Sequence, residues 1–409
     1  MNKTKQLKLL LSSLLASSVI LLPQTSLAQS FQEAIEASTP ILNLRYRYEN
    51  VGQDGVANDA NAHTLRTVVG VKTGEWKGFS ATVEMENVTH IDGNFNSTTN
   101  GNTLYPVVAD PAGTEVNQAK LTYTGMNNTA VIFGRQAIAL DNQRFVGPVG
   151  FRQNHQTFDS VVMQNTSIEN LTATYAYVWQ VNRIFGDDHA LGDVTGNTHV
   201  VNLGYKIADF GKLTGYGIFL DVSEVGALSS KTFGARFAGS QEAAGGKFSY
   251  AAEYASQSDY TNNPADFNEN YTMFEAGYSA SGFSIKAGME TLGGNGTTSF
   301  KTPLATLHKF QGFADVFLAT PADGVQNPYV SASYTKGNLD GFVKSVKVAA
   351  WYHDFNRDTG VGDYGTEFDA LVQLNMKNKW VVSLKYADFS SSSSLASRQK
   401  LWFTVGYKY

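Results

Sequence analysis

Charged side chains recur at every second position in several segments near the start of the chain. Arg45 and Arg47 alternate with apolar residues, as do Glu84 and Glu86, and Arg66 lies in a similar segment between them. Charges at this spacing lie on one face of an extended strand. Such a face suits two kinds of chemistry: cross-strand ion pairs that stiffen a wall, or a series of guanidinium groups that bind and guide an anionic solute.

The elements that must position these charges are β-strands. From Ile41 to Tyr409 we count 18 segments with an apolar or aromatic face and a polar face. Short connections such as 125–128 alternate with long ones such as 89–115, a pattern typical of a transmembrane antiparallel β-barrel. Successive strands alternate in direction, and both termini are expected in the periplasm. A further strand over His308–Phe317 would place the last long loop on the periplasmic side, so we exclude it. We therefore predict 18 strands, with 16 as the alternative count.

The first 28 residues have the pattern of a signal peptide. Lysines at positions 3, 5 and 8 precede an apolar run from Leu9 to Leu22, and small residues end at Ala28. We assign 1–28 to the signal peptide, 29–40 to a periplasmic N-terminal segment and 41–409 to the barrel. The chain has no cysteine, which excludes disulfides, and a net charge of −5, which argues against a nucleic-acid partner.

A charge that faces lipid at mid-depth is costly, about 2–4 kcal/mol for a basic residue, so the charged strand faces are expected to line a wet pore. For Arg45, Arg47 and Arg66 we favour solute guidance, since the basic excess on their two strands is locally uncompensated. Strict alternation would place Arg135 on the lipid-facing side with Phe133. A bulge in the strand, or a position at the rim of the barrel, would resolve this conflict. The residues predicted to line the pore are Arg45, Arg47, Arg66, Lys72, Glu84, Glu86, Lys120, Arg135, Arg144 and Arg152.

The segment Thr302–Gly324 is unusually apolar for an exposed loop. Apolar loop residues usually pack against something, and the barrel mouth is the nearest cover. We therefore expect this loop to fold inward and narrow the pore, although loop–loop packing at the outer surface is the alternative. Its predicted constriction residues are Leu304, His308, Lys309, Phe310, Phe313 and Asp315.

Signals for enzymatic activity are weak. The seven histidines are scattered without metal-ligand spacing, and the chain has no G-x-S-x-G motif. A barrel enzyme would need a Ser/His pair on neighbouring strands, and none can be assigned. We therefore predict no enzymatic activity, no catalytic residue, no metal site and no cofactor.

The chain ends in an alternating segment with Phe403, Val405, Tyr407 and Tyr409 on one face. This ending is similar to the signal by which barrel proteins are recognised for insertion into the outer membrane. We accordingly predict localisation in the Gram-negative outer membrane, contact with its lipid and lipopolysaccharide, and the barrel-assembly machinery as a partner through the last strand.

Several segments together resemble the alginate-export family of outer-membrane proteins, among them LNLRYRYENV, ANAHTLRTVVGVKTGEWKGFSATVEMENV, FGRQAIALDNQRFVG and TPLATLHKFQGFADVFLATPADG. The resemblance covers nearly all of the chain after the signal peptide. It implies a monomeric 18-stranded barrel, with an arginine-rich lumen in the member that exports alginate. Here glutamates such as Glu84 and Glu253 are mixed with the basic residues, which favours a porin for small hydrophilic solutes, anionic ones included, or for oligosaccharides. Export of an alginate-like polysaccharide is the alternative function, and a barrel enzyme ranks below it.

Overall fold

The computed structural model describes residues 30–409, so the predicted signal peptide lies outside the described residues. A short helix, α1 (Phe31–Glu36), precedes the first strand, and Ser30 caps it by accepting a hydrogen bond from the backbone N–H of Glu33. Gly74, in the short turn between the second and third strands, donates its backbone N–H to the carbonyl of Ala34. The helix therefore packs against the end of the barrel that carries the short turns. No helix within residues 30–409 is long and apolar enough to cross a membrane.

The described chain forms 18 strands, and β1 begins two residues before the predicted start of the barrel. Their bounds are β1 Thr39–Gln53, β2 Ala60–Lys72, β3 Phe79–Asn94, β4 Gly113–Met126, β5 Thr129–Gln136, β6 Thr157–Asn165, β7 Leu171–Asn182, β8 Asp193–Ile207, β9 Gly211–Leu220, β10 Ser230–Ala243, β11 Gly246–Asp259, β12 Asn268–Ala280, β13 Phe283–Leu292, β14 Val325–Lys336, β15 Val343–Asn356, β16 Asp363–Met376, β17 Trp380–Ser391 and β18 Arg398–Lys408.

The sheet closes on itself. Each strand pairs antiparallel with its neighbours in sequence, and β1 pairs with both β2 and β18. The C-terminal strand completes this closure, since Tyr407 lies opposite Leu44 and the backbone N–H of Tyr409 donates to the carbonyl of Leu42. The predicted fold class, an 18-stranded antiparallel barrel, is confirmed. The alternative of 16 strands is wrong.

Alternation along each strand separates an outer apolar face from an inner face. On β2, Val69 and Val71 are 48% and 41% exposed, whereas Arg66 and Val68 are each 2% exposed. The outward apolar residues form a belt that includes Val83, Leu121, Phe133, Leu203, Phe274, Ile285, Val330, Val348 and Leu384. A closed sheet with such a belt can span a bilayer, because every backbone group in the membrane is paired within the barrel.

Connections at the two ends of the barrel differ in length. Two-residue turns such as Ser281-Gly282 and Ala244-Gly245 have positive φ at both positions, which is the geometry of tight hairpin turns. Long connections lie at the other end, notably 95–112, 137–156 and 293–324. The segment 308–317 forms no strand and contains only a 3₁₀ turn at Leu307–Lys309. The predicted long loop at this position therefore exists, with bounds 293–324.

Candidate functional site

Two loops lie inside the barrel and are hydrogen-bonded to each other: the 137–156 loop and the 293–324 loop. The carbonyl of Leu304 accepts from the backbone N–H of Gly147 at 2.9 Å and from Gln156 Nε2 at 3.0 Å. Thr306 donates its backbone N–H to the carbonyl of Gln143 at 3.1 Å. An apolar core of loop and wall residues surrounds these contacts, including Val146, Phe158, Phe300 and Phe317. The two loops therefore form one packed unit within the lumen.

Arg45 points from β1 to the 137–156 loop. Its Nε donates to Gln153 Oε1 at 2.8 Å and its Nη1 to the carbonyl of Gly150 at 2.7 Å, while Nη2 bonds the carbonyl of Arg152. All three guanidinium nitrogens are thus bonded to neutral oxygens, and the side chain remains half-buried. Its positive charge is not cancelled by a direct ion pair.

Arg66 and Arg47 have acidic partners. Arg66 Nε lies 2.5 Å from Glu86 Oε2, and Arg47 Nη1 lies 3.9 Å from Asp110 Oδ2. The expectation that the basic excess of these two strands is uncompensated is therefore wrong for two of the three arginines. Glu86 lies on the adjacent strand β3 and was open to sequence reasoning, whereas Asp110 was not, because it arrives from the separate 95–112 loop.

Three further predicted pore residues lie on inward faces nearer the short turns. Glu84 accepts hydrogen bonds from Asn117 at 3.0 Å and from Gln118 at 2.8 Å, and Lys120 donates to Gln118 Oε1 at 2.8 Å. Lys72 ends β2 and is half-buried. These side chains border the lumen below the two loops.

Arg135 does not join them. It shares the outward face of β5 with Phe133 and forms a two-point ion pair with Asp159 on β6, with Nε–Oδ1 2.8 Å and Nη2–Oδ2 3.1 Å. The predicted pore-lining position is therefore wrong, and the rim position that alternation left open is the observed one. Asp159 makes the charge tolerable at the edge of the apolar belt.

Arg144 and Arg152 enter the lumen with the 137–156 loop, but they are buried rather than accessible. Arg144 Nε lies 2.6 Å from Glu290 Oε1 on β13. Arg152 contacts Glu49 at 3.0 Å and Asp315 at 3.2 Å. Burial alone would lower the pKa of Arg152, but the neighbouring carboxylates outweigh it and raise that pKa. Both arginines therefore fasten the loop to the wall.

The 293–324 loop is held by a buried polar group around His308. Its Nδ1 lies 2.7 Å from Asp315 Oδ1, its Nε2 lies 2.7 Å from Lys385 Nζ, and its ring stacks on Phe151 at 3.4 Å. Burial lowers the pKa of His308 well below its usual value. Asp315 also bonds Lys400 at 2.7 Å, and the positive groups around it outweigh burial and hold its pKa well below the usual range.

The tip of the same loop is bonded to two wall carboxylates on β16. The backbone N–H of Ala314 donates to Glu367 Oε1 at 2.7 Å, and that of Phe313 donates to Asp369 Oδ2 at 3.1 Å. Both carboxylates are almost completely buried. Glu367 was missed by the sequence analysis, because nothing in an alternating strand indicates which inward acid will receive a loop.

The remaining predicted constriction residues divide by exposure. Leu304 is buried between the loops, and Phe310 and Phe313 are half-buried, with the Arg144 guanidinium 4.9 Å from the Phe310 ring centre. Lys309 is exposed, and its Nζ donates to the carbonyl of Asn142 at 2.8 Å. Although the side chain is exposed, partial desolvation of its ammonium group and the nearby positive charges of Arg236 and Lys286 lower its pKa. Lys309 therefore belongs to an accessible basic region.

The accessible charges on the inner surface are mostly basic, whereas the buried charges include both acids and bases. Accessible basic residues are Arg45, Lys72, Lys120, Lys212, Arg236, Lys247, Lys286, Lys309, Lys347 and Arg398. Accessible acids on the inner surface are Glu84, Glu115, Asp141, Glu242, Asp259 and Glu275. Other inner acids are buried, namely Glu49, Glu86, Asp110, Glu253, Glu269, Glu290, Asp315, Glu367 and Asp369. The buried inner bases are fewer: Arg47, Arg66, Arg144, Arg152 and Lys400. Among residues 30–409 no group of three or more acids or histidines is arranged to hold a metal ion.

No protein-family model matches the chain, and no curated protein sequence matches it. Solved structures do match over most of its length. The Pseudomonas aeruginosa protein OpdO has a TM-score of 0.71 at 12% identity, covering 92% of this chain and 98% of its own. OccK2 (OpdF) of the same organism, solved with glucuronate, has a TM-score of 0.66 at 12% identity and covers 91% of this chain and 98% of its own. OpdK, solved with vanillate, has a TM-score of 0.67 at 11% identity and covers 92% of this chain and 99% of its own.

At these identities the likeness establishes the fold. A closed barrel of this size with an apolar belt is the architecture of outer-membrane porins, and the localisation is accordingly the cell outer membrane. The resemblance to the alginate-export family is supported only at the level of a porin-like barrel. The chain therefore has the closed-barrel fold of these outer-membrane proteins, and its lumen carries two inward loops.

Proposed function

We propose that the protein is a passive outer-membrane channel for small anionic solutes, chiefly carboxylates. The observation that carries the proposal is the sign of the accessible charge: lysines and arginines outnumber acids among the accessible inner residues, because most of the inner acids are buried, several of them in ion pairs with buried bases. A solute that passes through this space meets mainly positive groups. Positive charge in a narrow, low-dielectric passage raises the local concentration of anions.

Arg45 is the residue most suited to contact the solute. Its charge is not neutralised by a direct ion pair, and its guanidinium is already oriented by three loop oxygens. Lys309, Lys286 and Arg236 form a second basic region, in which Arg236 pairs with Glu253 and Lys286 pairs with Glu275. A carboxylate would exchange between such groups without binding any one of them tightly, as conduction requires.

The solved structures that resemble this chain support the same class of solute. OccK2 was solved with glucuronate and OpdK with vanillate, and both compounds carry a carboxylate. The comparisons offer no support for polysaccharide export. The two loops packed inside the barrel also argue against the wide bore that a polymer needs. The porin-like fold agrees with a channel rather than an enzyme.

Ion selectivity in planar bilayers tests the proposal. Under a salt gradient, the reversal potential of the wild-type channel should indicate anion preference, and R45Q should shift it toward cations. R135Q is the matched control, because it removes the same charge from the outer rim of the barrel. Both variants must keep the heat-modifiable gel mobility of a closed barrel.

Liposome swelling extends the test to the solute itself. Glucuronate should enter faster than glucose through the wild-type channel, and R45Q should reduce this preference while R135Q keeps it. Equal entry of the two sugars in the wild type, together with an unselective reversal potential, would overturn the proposed preference for anions.

A further inference from the structure

A groove of about 400 Å³ crosses the outer surface of β12–β15. It lies on the side of the barrel that faces lipid, away from the proposed solute path. Its lining is largely apolar. Four alanines contribute to it, and Ala280, Ala332 and Ala350 lie beside larger side chains such as Tyr278, Ile285 and Val348. A recess of this kind is unusual in a belt made mostly of protruding aliphatic and aromatic residues.

The recess follows from the order of residues on the strands. Outward positions on β14 are Val330, Ala332 and Tyr334, so a small side chain lies between two large ones. Ala332 is in register with Ala350 on β15 and with Ile285 on β13. The alanines of adjacent strands therefore align and leave a depression across the strands.

The groove is preformed at its periplasmic end. The rings of Phe283 and Tyr334 pack with their centres 4.4 Å apart, and the Tyr278 hydroxyl donates to the carbonyl of Ala244 at 2.8 Å. These contacts fix the aromatic side chains beside the alanines. The groove thus does not depend on a bound molecule to hold it open.

Two lysines lie just beyond the apolar part. Lys336 follows Tyr334 by two residues on the same outward face of β14, and Lys344 lies at the same end of β15. Both are exposed, and the turn between their strands contributes one acid, Asp340. The local net charge is therefore positive where the apolar belt meets the periplasmic head-group region.

We propose that this groove binds an anionic phospholipid of the periplasmic leaflet. One acyl chain would lie over Ala332 and Ala350, and the phosphate would contact Lys336 and Lys344. The apolar groove matches the acyl chains of such a lipid, and the two lysines match its negatively charged head group. Acyl chains alone would fill the groove without any contribution from the lysines. The inference is independent of the proposed solute and concerns the opposite face of the sheet.

Native mass spectrometry of the purified barrel tests the proposal after reconstitution in vesicles of equal parts phosphatidylglycerol and phosphatidylethanolamine. The wild type should retain one phosphatidylglycerol in preference to phosphatidylethanolamine. A332F fills the groove and should reduce this retention severalfold. A235F is the matched control, because Ala235 also faces outward but lies on β10, outside the groove.

The head-group contact has its own pair of variants. K336Q/K344Q should abolish the preference for phosphatidylglycerol, whereas K77Q/K206Q, which removes two lysines from the same end of the barrel, should keep it. Equal lipid retention by A332F and A235F would overturn the proposal. A dimer of barrels that A332F dissociates would also overturn it, since the groove would then contact a second copy.

Discussion

Arg144, in the 137–156 loop, and Glu290, on β13, form a buried ion pair with an Nε–Oε1 distance of 2.6 Å. The same carboxylate accepts a hydrogen bond from the Tyr271 hydroxyl at 2.8 Å. Arg144 also donates to Thr302 Oγ1 at 3.0 Å, in the 293–324 loop. One guanidinium therefore connects both inward loops to the barrel wall, so the loops should move together if it is released.

Replacing Glu290 by Gln should free the 137–156 loop. The change keeps the shape of the side chain but leaves the Arg144 charge buried without its partner, at a cost of about 3–5 kcal/mol. We expect faster proteolysis within the loop and a larger single-channel conductance. Y271F is the control, since it removes one hydrogen bond worth about 1 kcal/mol and leaves the ion pair intact. Equal cleavage of E290Q and the wild type would show that another contact holds the loop.

The barrel itself could be predicted because its pattern is local. Each strand alternates apolar and polar residues within a few positions, as Val69 and Arg66 illustrate on β2, and short turns alternate with long loops. Closure then follows, since an unpaired strand edge has no partner in lipid. The predicted strand count needed only these local signals and the parity of the connections.

The contacts inside the lumen could not be predicted in the same way. Arg144 and Glu290 are 146 residues apart, and Arg152 and Asp315 are 163 apart. Alternation predicts that Glu290 faces inward, but it does not predict which loop residue will form an ion pair with it. The inward fold of the 293–324 loop was predictable from its apolar residues, whereas its seating on Glu367 and Asp369 was not.

Gly312 should be essential for that seating. Its φ is +81°, and a Cβ atom there would lie 2.4 Å from Glu367 Oε1. G312A should therefore displace the neighbouring amides of Phe313 and Ala314 from the two β16 carboxylates, and hydrogen exchange at these amides should accelerate. G296A is a matched control in the same loop: its φ is +88°, but its nearest neighbour, Asp323 Oδ1, is 3.7 Å away. Similar exchange in both variants would mean that backbone strain alone explains the effect.

Acid should loosen the 293–324 loop through His308. Because Nε2 accepts from Lys385, the neutral ring carries its proton on Nδ1 and donates it to Asp315. The pKa of His308 is lowered in the folded state, so the folded protein binds fewer protons than the unfolded chain. Its contribution to stability is therefore present above the unfolded pKa of about 6.5 and is lost as the pH falls below that value.

Proteolysis of the loop measured between pH 7.5 and pH 5 should reveal this dependence. The wild type should become more susceptible at the lower pH, because the ring binds a proton when the loop opens, and a protonated Nε2 can no longer accept from Lys385 when the loop closes. H308Q keeps a donor and an acceptor but does not titrate, so its susceptibility should change little. H155Q is the control, since His155 lies in the 137–156 loop and contacts Arg66 on β2 rather than Lys385, so this variant should keep the wild-type pH dependence. A wild-type profile that is flat across this range would contradict the assigned role of His308.

Deleting Thr302–Gly324 should raise single-channel conductance severalfold while the barrel stays closed. The strand ladder from β1 to β18 is continuous without this segment, so heat-modifiable gel mobility should persist. The deletion also removes the cover from Glu367 and Asp369, whose oxygens accept from the loop backbone. We therefore expect the reversal potential to shift toward cations as the conductance rises.

The two effects of this deletion have different causes and can be separated. Conductance depends on the volume that the loop occupies, whereas selectivity depends on the carboxylates that it covers. Adding E367Q/D369N to the deletion should return the reversal potential toward the wild-type value and leave the conductance high. A closed deletion barrel with wild-type conductance would show that ions pass outside the space filled by the loop. A selectivity shift that persists in the combined variant would assign it to other acids, such as Glu290, that the deletion also uncovers.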